Sequence, residues 1–257
     1  LDAEEWRQIG SQSPELAKLF VAADAKLQDL LLVPFNVKLM ADLLGRGIAI
    51  ERLTPIRTQI ELLDLYWKER VALPLSEKYA REILLSRAVN EMVRSRSLRV
   101  ILQQVATATI DSPVLKDILS ANILSEWQPH SGGTVNESVL TFAHHVLFDY
   151  AVARLLLRDV TQPVRFLEDD PELIIAIRPS LVMHFEHVRS QDLSQFWELV
   201  FSLTGSQTIP EIGKLIGPSV AVESATKVEE FSGLIRALTL TDLSQREYAE
   251  KAFRHVT

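Results

Sequence analysis

Apolar positions recur at three- and four-residue intervals along most of the chain. No stretch alternates apolar and polar residues over several strands, so helix is the dominant predicted element. In SPELAKLFVAADAKLQDLLLV, Ser13 and Pro14 supply a cap and a helix-first proline. Leu16, Leu19, Phe20, Ala23, Leu27, Leu30 and Leu31 then follow at helical spacing. Pro34 interrupts that pattern and should end or redirect the helix. FNVKLMADLLGRG predicts a second helix, closed at Gly45 or Gly47. TPIRTQIELLDLYWKERV predicts a third, capped by Thr54 with Pro55 in its first turn. Its apolar stripe is Ile56, Ile60, Leu63, Tyr66 and Trp67. Pro74 and Ser76 punctuate before a long helix from roughly Glu77 to Val93, which sets a small helical domain at residues 1–75.

Residues 76–160 change character. After the long helix, Ser112 and Pro113 open another, with Leu115, Ile118 and Leu119 on its apolar edge. ILSEW, from Ile123, reads as a short extended piece. HSGGTVNESV reads as a turn in which Gly132 and Gly133 permit positive φ. VLTF, residues 139–142, returns as the partner strand. Helices followed by a short hairpin and a further helix are the order of a winged helix, the hairpin being the wing; a helical bundle with a loose loop is the rival reading. Residues 161–257 return to short helical units, each with one apolar face, and suggest stacked hairpins of solenoid-like type. The expected fold class is therefore mainly α: a helical bundle, a winged-helix domain and C-terminal helical hairpins.

Composition narrows the chemistry. Of 257 residues, 47 % are hydrophobic and 24 % charged, which fits a globular chain. The net charge of −7 removes the simplest argument for nucleic-acid binding. Cysteine is absent, which excludes disulfides and thiolate chemistry; cytoplasm is the default expectation. LLLVPF, at residues 30–35, is far short of the roughly 20 apolar residues that cross a bilayer, and no membrane partner is expected. The opening LDAEEWRQIG shows no basic lead or apolar run, and its lack of methionine suggests a piece of something longer.

The segment TFAHHVLFDYAVARLLL, residues 141–157, poses the functional question, because it concentrates histidine, aspartate and tyrosine beside an apolar run. On one helix, His144 and His145 would point about 100° apart and could not readily share a metal ion. The plain alternative is a buried helix in which Phe142, Val146, Leu147, Tyr150 and Ala153 face the core. HFEH, residues 184–187, is not the HExxH metal pattern, and His184 and His187 read as a surface pair. Arg94, Arg96 and Arg99 could meet phosphates of a nucleic acid, yet the candidate recognition helix VLKDILSANIL balances one lysine with one aspartate. EDDPE, residues 168–172, reads as a loop and helix start, where acids suit the positive end of the dipole. No GxxxxGK[ST] loop and no GxSxG elbow occurs, so no metal ligand and no catalytic residue is assigned.

FAHHVLFDYAVARLL resembles a segment of the STAND class of P-loop NTPases, including NACHT-like proteins. There it opens the last helix of a winged helix that follows the nucleotide-binding core. Phe142, His144, Leu147, Asp149, Tyr150 and Ala153 match that pattern in order, with Asp149 where glutamate is commoner. LLLVPFNVKLMADLL is similar to the helical segment just after the core, with its proline at Pro34. The resemblance covers about residues 14–160. It implies that Pro34 packs near an adenine and that His144 approaches the terminal phosphates of ADP. It also implies ATP or ADP with Mg²⁺ in a longer parent and no cofactor in this fragment. The expected partners are an upstream NTPase domain of the same chain and further copies in a homo-oligomer, with nucleic acid disfavoured. On this reading the fragment is not itself an enzyme and couples nucleotide state to conformational change. A winged-helix DNA-binding regulator and an all-helical interaction scaffold are the alternatives.

Overall fold

The computed structural model describes residues 8–9, 11, 13–106, 112–128, 138–157, 162–239 and 243–256. Among the described residues the chain is mainly helical, with one small three-stranded sheet, and it divides into two compact units, Leu1–Tyr79 and Ala80–Thr257. The glycine turn expected at residues 130–137 lies outside the described residues.

The first unit contains α1 (Pro14–Ala22), α2 (Ala25–Leu31), α3 (Pro34–Gly45), α4 (Ile50–Leu53) and α5 (Gln59–Trp67). Asp24 caps α2 by accepting from the Leu27 amide at 3.0 Å. Pro34 begins α3, and Val33 before it is extended (φ −89°, ψ 116°), as a residue preceding proline should be. Gly47 takes φ +82° just beyond α3, where its amide and that of Ile48 satisfy carbonyls of the last turn. Helix α5 starts later than the sequence suggested. Its cap is Thr58, not Thr54: Thr58 and Glu61 exchange hydrogen bonds in a capping box. Helix α1 packs on α3 and α4, and α3 packs on α5. Leu19, Leu27, Leu31, Met40, Leu43, Leu53, Leu62 and Trp67 form the core. A π-turn at Lys68–Ala72 follows α5 and buries Arg70, whose guanidinium meets Asp42 at 3.0 Å. Burial, then the charge and hydrogen bond of Asp42, pushes the Tyr66 hydroxyl pKa upward.

Helix α6 (Leu75–Arg94) leads into the second unit. Next come β1 (Arg99–Ile101), α7 (Leu102–Val105), α8 (Ser112–Ser120), β2 (Leu124–Trp127), β3 (Val139–Phe142) and α9 (His145–Leu155). The sheet is antiparallel in the order β1–β3–β2. Arg99 pairs with Thr141 and Ile101 with Val139, while β3 also pairs Thr141 with Ser125 and Val139 with Trp127. Val100, Leu124, Leu140 and Phe142 therefore turn to the core, and all four are buried. Strand β1 is an addition to the hairpin that the sequence suggested.

The remaining helices are α10 (Gln162–Asp169), α11 (Leu173–Gln191), α12 (Leu193–Gly205), α13 (Glu211–Lys214), α14 (Ile216–Ser224), α15 (Ser232–Leu238) and α16 (Leu243–Val256). Helix α9 packs along α11, which also contacts α12 and α14, while α16 closes over α12, α14 and α15. The division expected near residue 160 thus runs between two helices, α9 and α11, that share one compact unit. An aromatic cluster fills the centre. Phe185 meets Phe196 edge-on at 5.8 Å, and Trp197 stacks on Phe201 and donates its indole N–H to the Glu230 carbonyl at 3.0 Å.

Candidate functional site

The β3–α9 junction carries the residues that the sequence singled out. Strand β3 ends at Phe142, and the Ala143 amide donates to the Ile123 carbonyl at 2.9 Å, fixing the exit from the sheet. His144 is then extended (φ −152°, ψ 143°) and stands as the N-cap of α9, not inside it. Its carbonyl accepts from the Leu147 and Phe148 amides. Its Nδ1 accepts from the Val146 amide at 3.2 Å. An accepting Nδ1 places the proton of neutral imidazole on Nε2. The two histidines were expected about 100° apart on one helix. Because His144 precedes the first turn, its ring instead lies over that of His145, with centroids 4.2 Å apart and planes 30° apart.

Most of the motif is packing. Phe142 and Phe148 meet edge-on at 5.7 Å, and Leu147, Tyr150 and Ala153 are buried. The Tyr150 hydroxyl accepts from Arg154 at 3.0 Å. Asp149 is buried too. Its Oδ1 accepts from the hydroxyl of Ser180, on α11, at 2.9 Å. Burial raises the Asp149 pKa, while the Ser180 bond and the charge of His145 oppose the rise. The buried-helix reading thus describes Leu147, Tyr150 and Ala153, whereas His144 sits at the half-buried edge. Ser180 was missed by the sequence reading, because nothing at residue 180 marks it as the partner of an aspartate 31 positions away.

Pro34 is exposed at the first position of α3, beside Leu32 and Val33, which are also exposed. The corner is held from within: the Asn36 amide donates to the Leu30 carbonyl at 3.0 Å and its Oδ1 accepts from Gln59 at 3.0 Å. Asn36 is buried and carries no sequence signal beyond its place two residues after Pro34.

The three arginines differ in state. Arg94 is paired with Glu91, one turn back on α6. Arg96 takes φ +51° after α6 and bridges Asp170 at 3.0 Å and Glu172 at 2.9 Å. The EDDPE segment is therefore more than a helix start: two of its acids hold Arg96. Arg99 alone among the three has no ion-pair partner among the described residues. It lines a pocket of about 500 Å³ on the outer sheet face with Trp127, Gln128, Val139 and Thr141.

The expected surface pair at residues 184–187 is not one. His184 is buried at 3 % exposure because its position on α11 faces the core, and His187 is half-buried. Among the described residues, no group of three or more histidine, aspartate or glutamate side chains could hold a metal ion. No helix among them is long and apolar enough to cross a membrane. Comparison with models of known protein families gives no match to this chain, and comparison with curated protein sequences gives none either.

Proposed function

We propose that this chain is a regulatory region of a STAND-type ATPase, a winged helix flanked by helical domains, which couples nucleotide state in an upstream core to conformational change or oligomerisation. The order α6–β1–α7–α8–β2–β3–α9, with sheet order β1–β3–β2, supports reading residues 76–160 as a winged helix. The observation that carries the reading is the place of His144. Asparagine, aspartate or serine is the preferred N-cap, so capping alone does not explain an imidazole there. Imidazole adds a second nitrogen on the far side of the ring, a donor suited to a phosphate oxygen. In this reading Pro34 borders the adenine and His144 the terminal phosphates of ADP, whose binding would hold the regulatory region against the core. The chain supplies no phosphate loop, so hydrolysis would belong to the upstream core and require its Mg²⁺ ligands.

The test starts with the open reading frame. A GxxxxGK[ST] domain upstream of Leu1 is expected; a start codon at or just before Leu1 overturns the proposal. In the full-length protein, His144→Asn should keep the helix cap and lose ADP retention. Unchanged retention would remove His144 from the switch.

A further inference from the structure

The outer face of the sheet carries chemistry that the proposed function does not use. Strand pairing places Arg99 and Ile101 of β1, Val139 and Thr141 of β3, and Ser125 and Trp127 of β2 on this face. Trp127 is 66 % exposed, whereas Trp67 and Trp197 are buried. An indole left in water on an ordered strand forgoes a large apolar burial, and exposed aromatics of this kind mark binding surfaces. The six outward positions hold one cation and no carboxylate, in a chain of net charge −7. Arg94 and Arg96 are already neutralised by acids, while Arg99 is not. The pocket bounded by Arg99, Trp127, Val139 and Thr141, about 500 Å³, is of the size that small ligands occupy.

We infer that this face binds a small molecule made of a flat aromatic ring joined to an anionic group. The ring stacks on Trp127, the anion pairs with Arg99, and the hydroxyl of Thr141 lies between them. Arg99 and Trp127 sit on the two outer strands, two spacings of about 4.8 Å apart and offset by two residues. Their Cα atoms are therefore roughly 12 Å apart. Both residues line the same pocket, so a ligand of nucleotide or indole-acid size spans the gap. Val139 supplies an apolar floor under the ring. This site is independent of the role proposed for Pro34 and His144.

The 257-residue chain is titrated calorimetrically with four probes: AMP, indole-3-acetate, adenosine and inorganic phosphate. AMP or indole-3-acetate should bind saturably, the first pointing to a phosphate anion and the second to a carboxylate. Trp127→Leu should weaken the ring-bearing anions by about five- to hundredfold through lost stacking. Arg99→Gln should weaken them by about tenfold or more through the lost charge-assisted bond. Adenosine should respond to Trp127→Leu alone, and phosphate to Arg99→Gln alone. Both residues are exposed, so melting temperatures should stay near that of the parent chain and report that both variants fold. Absence of saturable binding by both ring-bearing anions overturns the inference, as does an affinity that survives either substitution.

Discussion

Replacing His144 separates its structural task from its proposed one. One contribution of the side chain to the fold is direct: Nδ1 accepts from the Val146 amide at 3.2 Å. His144→Ala removes that acceptor at the start of α9, and loss of an N-cap acceptor costs about 1 kcal/mol. For a unit the size of Ala80–Thr257, that lowers the melting temperature by roughly 2–4 °C. The backbone bonds from Leu147 and Phe148 to the His144 carbonyl remain in either variant. His144→Asn restores a favoured cap and should melt at or above the parent temperature. Thermal and urea melts of the three proteins decide it. A His144→Ala variant as stable as the parent, or a His144→Asn variant as damaged as His144→Ala, would refute the capping geometry. Any nucleotide effect of His144→Asn then belongs to the imidazole itself.

Other expectations follow from the same kind of reasoning. Asp42→Ala takes a carboxylate partner from the buried guanidinium of Arg70 and from the Tyr66 hydroxyl, and should cost about 1–3 kcal/mol, with part of that recovered in Asp42→Ala/Arg70→Met; equal melting of the single and double variants would be the contrary result. Asp149→Ala leaves the buried Ser180 hydroxyl without its acceptor and should cost about 1–3 kcal/mol in urea unfolding, whereas Asp149→Asn keeps an acceptor. Because burial raises the folded pKa of Asp149, its contribution to stability is full below the ordinary carboxylate pKa and is lost as pH rises through the folded value. Asp149→Asn should therefore gain on the parent from acid to neutral pH in paired melts, and a constant difference would contradict this. A methyl group at Gly217 would lie 2.7 Å from Val200 Cγ2 and 2.8 Å from Phe185 Cε1, so Gly217→Ala should destabilise by about 1–3 kcal/mol in urea unfolding.

Punctuation and strong periodicity made the helical frame legible. Pro34 and Gly47 bound α3, and VLTF coincides with β3, because proline, glycine and an alternating apolar run each act locally. Strand β1 was missed because three residues directly followed by a helical turn offer no period to read. Thr54 and Thr58 both precede apolar residues, and only the reciprocal bond with Glu61 distinguishes them. His144 was read as helical because the apolar spacing of α9 extends one position too far, into the extended residue that caps it. The burial of His184 and the bridge from Arg96 to Asp170 and Glu172 depend on contacts between distant segments. No local pattern encodes them. Trp127 lay in a segment that read as extended, but its outward direction needed the register with Val139.

The bond between Asp149 and Ser180 has a mechanical consequence. Helices α9 and α11 pack along one another largely through apolar side chains, whose contacts carry no polar mark of register. A shift of one helical turn, about 5.4 Å, would leave the carboxylate against hydrocarbon and the hydroxyl without its acceptor. The pair therefore acts as a keyway, adding about 1–3 kcal/mol against any slip of α9 along α11. A displacement imposed at His144 would thus be passed to α11 beside Pro179, the point in that 19-residue helix where an intrahelical hydrogen bond is missing.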